Sequence, residues 1–220
     1  MRGPRLGASY RRALLDPELG RLAVGLSGLV LDVGGKRMPR GGFRRSERGV
    51  RRWLLLNLAV GEEPDVVGSA EALPFRAASV GGILCSEVIQ YVDRYDEMLA
   101  EFRRVLVPGG RVLLSAPLLH RLDHPADRHR FSAGRLRELF ERAGLQVDAV
   151  TQQGRFFTTL AHMLRQAAAH VRSRPLRALA AVPVLPMGAC LRLLDRLPPV
   201  GRSEFLSSYT TGYLVCARRP

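Results

Sequence analysis

"EMLAEFRRVLVPGGRVLLSAP", residues 97–117, changes its hydrophobic period partway along. Tyr95, Met98, Leu99, Phe102, Val105 and Leu106 recur at steps of three and four, which is one face of an α-helix. Pro108, Gly109 and Gly110 end that helix with a turn. Val112–Ala116 is then a short apolar run of strand length.

The same alternation extends in both directions. Upstream, Leu29–Val33, Trp53–Leu58, Asp65–Gly68 and Val80–Cys85 read as four strands. Downstream, Leu136, Leu139, Phe140 and Ala143 mark a helix, with Ser132 as its N-cap and Gly144 just past its end. Leu145–Val150 is a sixth strand and Tyr209–Ala217 a last one. Strands alternating with helices predict an α/β fold with a mostly parallel sheet covered on both faces.

The ends differ from this middle. Residues 8–24 form an amphipathic stretch interrupted by Pro17, and Leu160, Met163, Leu164, Ala167, Ala168 and Val171 form an apolar helical stripe. Ala178–Leu191 is an uncharged run of fourteen residues with two prolines, followed by a helix around Met187–Leu197. A membrane-spanning helix needs about 20 residues, so this run is expected to lie in an interface at most. The division follows: 1–27, a basic N-terminal helical segment; 28–154, the core; 155–200, a helical cap; and 201–220, a strand returning to the sheet.

The chain has 220 residues and a net charge of +14, with one lysine and otherwise arginine as its basic residues. Residues 1–52 carry +9, residues 53–154 carry −3 and residues 155–220 carry +8. The basic ends suit an anionic partner such as a lipid surface, a phosphorylated substrate or nucleic acid. Against nucleic acid, aromatic content is 6% and the arginines are not interleaved with aromatics. Cys85, Cys190 and Cys216 have no paired spacing, which predicts a reducing, cytoplasmic setting without a zinc site or disulfide framework. Arg11-Arg12 is followed by Asp16, Pro17 and Glu18 rather than a long apolar segment, so no secretion signal is expected.

Between the first two strands stands "LDVGGKRMPRGGF", residues 31–43. An acid at a strand end followed by glycines lets a backbone approach a cofactor closely. Four further segments follow in order: "DVVGSAEALPF" (65–75), "VGGILCSEVIQYV" (80–92), the stretch 97–117, and "RFSAGRLRELFERAGLQV" (130–147). Together they resemble the class I S-adenosylmethionine-dependent methyltransferases, type 11 group. The resemblance covers roughly residues 28–150, and "YTTGYLVCARRP" is similar to the group's last strand. The DVGGK loop resembles a subset met among surface-polysaccharide biosynthesis proteins.

This resemblance implies a Rossmann-like, seven-stranded, mostly parallel sheet and S-adenosyl-L-methionine as cofactor. It places the cofactor against Asp32, Gly34, Gly35, Asn57, Ser69, Ala70, Cys85 and Ser86. Two positions depart from the group's pattern. Ala59 stands where an acid at the end of strand 2 would accept the ribose hydroxyls, and Ser69 stands where an aspartate would meet the adenine. Each lost charge-assisted bond costs about 1.5–3 kcal/mol. Two such losses weaken binding roughly a hundredfold or more.

Methyl transfer demands alignment, dryness and, for a hydroxyl acceptor, a base. "HRLDHPADRHRFS" (120–132) follows the fifth strand, where ligand sites of open α/β sheets lie. His124 and His129 are the candidate bases there, with Asp127 matching the group's corresponding stretch. A solvated polar loop with Ser132 as a helix cap is the alternative. The expected acceptor is a small molecule or glycoconjugate, such as a lipid-linked sugar, with membrane contact through the basic C-terminal segment. Two other readings are a non-catalytic, methyltransferase-like scaffold and, from the charge, a nucleic-acid methyltransferase.

Overall fold

The computed structural model describes residues 9–37, 42–122 and 124–220. Residues 1–8 of the N-terminal segment, Met38–Gly41 of the glycine loop and Asp123 lie outside the described residues.

The sheet has seven strands: β1 (Gly28–Val33), β2 (Val50–Asn57), β3 (Val66–Val67), β4 (Val80–Ser86), β5 (Leu106–Pro117), β6 (Gln146–Gln152) and β7 (Gly212–Arg218). Their order is β3-β2-β1-β4-β5-β7-β6. All pairs are parallel except β5–β7 and β6–β7, so the last strand enters between β5 and β6 against the others.

Period-two alternation divides the core between the two faces. Leu31, Val33, Ile83, Cys85, Val112 and Leu114 point to one face. There they meet Met98, Leu99 and Phe102 of α2 (Tyr95–Val105) and Leu136, Leu139 and Phe140 of α3 (Ala133–Arg142). Val30, Leu84, Leu113, Leu214 and Cys216 point to the other, where Leu15, Leu19 and Ala23 of α1 (Tyr10–Ala23) cover them. Asp32 shares a side of β1 with Val30, so its carboxylate faces the α1 layer.

The capping signals hold. The Ser132 hydroxyl accepts from the Arg135 amide at 3.2 Å, and Gly144 has φ +73° beyond the end of α3. The Pro108-Gly109-Gly110 turn is corrected: α2 already ends at Val105, and these residues form an irregularity within β5. Leu106 pairs with Val80 and Arg111 with Gly82, so the extra residues bulge out between two good registers.

The proline break expected within the C-terminal segment is also corrected. After α4 (Phe156–Ala169) the chain forms one 21-residue helix, α5 (Arg174–Leu194), which runs through Pro183 and Pro186. Two short helices, α6 (Pro198–Arg202) and α7 (Glu204–Ser207), lead into β7. A buried carboxylate closes the α4–α5 hairpin. Asp195 Oδ2 accepts from the amides of Arg155 and Thr158, both at 2.8 Å, and Oδ1 from that of Phe157 at 3.1 Å. It supplies acceptors for orphan donors at the start of α4, which the N-cap residue, Arg155, does not.

Candidate functional site

Strand order reverses at the β1/β4 boundary, and such a switch point leaves a crevice at the carboxyl ends of the strands. A cavity of about 760 Å³ occupies it. Asp32, Gly34 and Gly35 line it from the end of β1, and Asn57 and Leu58 from β2. Ser69, Ala70 and Glu71 line it after β3, and Ser86 and Glu87 at the end of β4. His120 and Arg121 after β5, with Arg11 and Arg12 of α1, form the opposite wall.

The glycines are required by space. Gly34 has φ +73°, and a Cβ there would lie 2.3 Å from Cγ2 of Val88. A Cβ on Gly35 would lie 2.6 Å from the carboxyl carbon of Asp32. The Gly34 amide donates to the Leu56 carbonyl at 2.7 Å, which ties the turn to β2.

Lys36, Arg37 and Arg45 around this loop are paired with acids. Arg45 donates to Asp32 Oδ2 from Nε at 3.1 Å and from Nη2 at 2.8 Å. Arg45 also reaches the Lys36 carbonyl at 3.0 Å. Lys36 pairs with Glu62, and Arg37 with Asp65 at 2.9 Å. Burial raises the Asp32 pKa, and Arg45 opposes the rise. Asn57 braces the loop: its Nδ2 donates to the Gly35 carbonyl and its Oδ1 accepts from the Ala59 amide, both at 3.0 Å.

The opposite wall is a latch between α1 and β4. Arg11, 3% exposed, pairs with Glu87, with Nη2 2.7 Å from Oε1. The Ser115 hydroxyl donates to the same Oε1 at 2.6 Å. Arg12 reaches the Ser86 hydroxyl at 3.2 Å and Asp16 at 2.7 Å. Glu87 itself has φ +61°, a conformation uncommon for a non-glycine residue and frequent at functional sites. Burial lowers the Arg11 pKa to about 9, which leaves the guanidinium charged at neutral pH.

Of the residues expected to hold a cofactor, Asp32, Gly34, Gly35, Asn57, Ser69, Ala70 and Ser86 all line this one cavity. Cys85 does not; its thiol is fully buried among the core residues between the sheet and α2, and burial pushes its pKa up. His124, Asp127 and His129 are not among the lining residues either. The His124 Nδ1 accepts from the Ala126 amide at 3.1 Å, Asp127 is buried against Arg130, and His129 packs edge-on against Tyr95. Their segment instead backs the cavity wall: the Arg128 and His129 amides donate to the Gln90 carbonyl at 3.0 and 3.3 Å. His120 does reach the cavity, and its ring stacks on His162 of α4 at 5.8 Å.

Arg11, Arg12 and Arg45 are the site residues that sequence spacing did not reveal. Arg11 lies 76 residues from Glu87, and Arg45 thirteen from Asp32, neither a helical nor a strand repeat. No group of three or more histidines, cysteines or carboxylates fit to hold a metal occurs among the described residues.

Residues 53–114 match the family model described as a methyltransferase domain. The chain is 38% identical over 104 residues to the biotin biosynthesis bifunctional protein BioHC of Cellvibrio japonicus, covering 46% of this chain and 18% of that protein. It is 36% identical over 107 residues to the ubiquinone/menaquinone biosynthesis C-methyltransferase UbiE of Brucella anthropi, covering 47% of this chain and 37% of that one. The matched segments thus span well under half of these relatives. Among solved structures, geranyl diphosphate C-methyltransferase from Streptomyces coelicolor superposes with TM-score 0.56 at 15% identity, covering 92% of this chain and 79% of that one. The [4+2]-cyclase SpnF superposes with TM-score 0.59 at 15% identity, covering 94% and 80%. The fold is therefore that of the class I methyltransferases, and residues 53–114 are similar in sequence to a methyltransferase domain. A cyclase with the same architecture shows that the chemistry has to be argued from the site.

Proposed function

We propose that this chain binds S-adenosyl-L-methionine in the crevice at the ends of β1 and β4 and transfers its methyl group to a small-molecule acceptor. The observation that carries this reading is the β1 turn. Gly34 and Gly35 leave open backbone beside the Asp32 carboxylate, at the switch point, in a cavity of about 760 Å³.

The residues fit the cofactor. Both Arg45 contacts go to Asp32 Oδ2, which leaves Oδ1 to accept from the cofactor's ammonium group. Ser69 and Ala70 stand at the adenine side. At the end of β2, where the resemblance puts the ribose, Ala59 is exposed and Glu62 is paired with Lys36. The sulfonium supplies an activated methyl group, and the protein's part is in-line alignment in a site shielded from water. Arg11 and Ser115 fix the Glu87 carboxylate beside the acceptor side of the cleft. Glu87 and His120, both lining the cavity, are positioned to take the proton of a hydroxyl acceptor. His124, His129 and Asp127 shape the wall behind Gln90 in this reading.

The acceptor we favour is a glycoconjugate such as a lipid-linked sugar, supported by the likeness of residues 32–43 to the polysaccharide-biosynthesis subset and by the arginines on the acceptor wall. The free thiols of Cys85, Cys190 and Cys216 suit a cytoplasmic setting. A second reading, a non-catalytic scaffold, is favoured by Arg45 on Asp32 and by Ala59 at the ribose position. Calorimetric titration with S-adenosylmethionine separates the two, and a radiolabelled methyl-transfer screen over lipid-linked and free sugars tests the acceptor.

A further inference from the structure

α5 is built inside out for a helix on a water-soluble protein. Its inward stripe, Arg177, Ala180, Ala181, Val184, Gly188, Leu191 and Arg192, is buried or half-buried, and it packs along α4. Gly188 lets the helix approach α1 closely, since a Cβ there would lie 2.4 Å from the Tyr10 hydroxyl. Every exposed side chain between residues 175 and 194 is apolar or a thiol. Leu176, Leu179, Val182 and Leu193 are each more than half exposed. A surface helix normally shows the reverse pattern. This face runs the length of the helix, about 31 Å, and a contiguous apolar surface on that scale marks an interaction site.

The charges around the face select what covers it. Arg172 and Arg174 are exposed at its start, and Arg196 and Arg202 are exposed beyond its end. Residues 155–220 hold ten basic and two acidic residues, and one of the two acids, Asp195, is buried against α4. A second copy laid antiparallel on this face would set arginine cluster against arginine cluster. An anionic surface meets both clusters with opposite charge. Pro183 and Pro186 lack the amide protons that would bond the Leu179 and Val182 carbonyls, and hydrated lipid headgroups supply donors for such groups. At 21 residues α5 is long and apolar enough by length and composition to cross a membrane, where the fourteen-residue run alone is not; its inward stripe, which carries Arg177 and Arg192, packs on α4 and favours lying in the interface over spanning.

We propose that the outward face of α5 docks this protein on an anionic lipid bilayer, with the helix lying in the interface and its flanking arginines on the headgroups. The proposal is independent of methyl transfer, because a chain that bound no S-adenosylmethionine would still dock.

The test is flotation of the full chain with vesicles of phosphatidylcholine containing about one-third phosphatidylglycerol, beside vesicles of phosphatidylcholine alone. The protein floats with the first and stays largely unbound to the second. The double substitution Leu179→Glu/Val182→Glu, at two exposed positions, lowers the bound fraction at least tenfold without changing the melting temperature. A second variant, Arg172→Gln/Arg174→Gln, keeps the apolar face and narrows the difference between the two vesicle types. Equal flotation of the wild type and the Glu variant would overturn the proposal, as would no flotation of the wild type. A lipid-free dimer in light scattering that the Glu variant converts to monomer would also overturn it, assigning the face to self-association.

Discussion

Arg45 places its Nη2 2.8 Å and its Nε 3.1 Å from the same oxygen of Asp32, at the carboxyl end of β1. The pair joins the basic segment after the glycine loop to the acid that the loop presents. Burial alone would favour the neutral form of Asp32, and Arg45 counters it. Arg45 therefore opposes the neutralisation that burial favours at the carboxylate the proposed cofactor site needs.

Arg45→Gln is expected to weaken S-adenosylhomocysteine binding roughly tenfold, about 1.4 kcal/mol. The loss should deepen as pH falls, because Asp32 without its partner protonates more readily. Calorimetry at two pH values checks this. Tighter binding by the variant would show that Arg45 competes with the ligand for Asp32.

Gly34→Ala tests the cradle. The residue must hold φ +73° with a Cβ driven into Val88, a stiff β-branched neighbour. Adopting the left-handed conformation alone costs about 1–2 kcal/mol. The variant is expected to melt lower and to lose at least tenfold in cofactor affinity, by thermal shift with and without S-adenosylhomocysteine. A full ligand-induced shift in the variant would remove the glycine turn from the binding site.

Acid sensitivity should trace to His162. It is 2% exposed, and burial, reinforced by His120, Arg11 and Arg165, lowers its pKa to about 4. Unfolded, it titrates at about 6.5. Between these values the unfolded chain binds more protons, so folding stability is intact above the upper value and declines as pH falls toward the lower. The loss reaches about 3 kcal/mol near the lower value. His162→Leu removes this contribution, so its melting temperature should fall less than that of the wild type between neutral and mildly acidic pH. Parallel curves would contradict the assignment.

Asp195→Ala leaves the amides of Arg155, Phe157 and Thr158 without their acceptor at the start of α4. A loss of about 2–3 kcal/mol is expected from denaturant unfolding. Hydrogen exchange should rise first in α4 and α5. Uniform exchange across the chain would mean that Asp195 does not close this hairpin.

These sites differ in how visibly the chain writes them. β1, β4 and β5 were legible because each side chain alternates between two buried layers, so the strands read as continuous apolar runs. Ser132 and Gly144 were legible because caps are local chemistry. α5 was not, because Pro183 and Pro186 read as breaks; packing of the inward stripe on α4 carries the helix through them at a cost of about 3 kcal/mol or more for an interior proline. The histidine-rich segment stands out by composition, yet the fold turns His124 and His129 toward packing and brings His120 to the cavity. The Arg11–Glu87 and Arg45–Asp32 pairs depend on tertiary approach, which no periodicity records.

The central claim is that the turn at Asp32, Gly34 and Gly35 holds S-adenosylmethionine. Its most direct test is calorimetric titration of the folded full chain with S-adenosylmethionine and S-adenosylhomocysteine, alongside Asp32→Ala. Micromolar binding that weakens at least tenfold in the variant is predicted. No heat and no thermal shift at millimolar ligand, from protein that melts cooperatively, would contradict it and leave the scaffold reading standing.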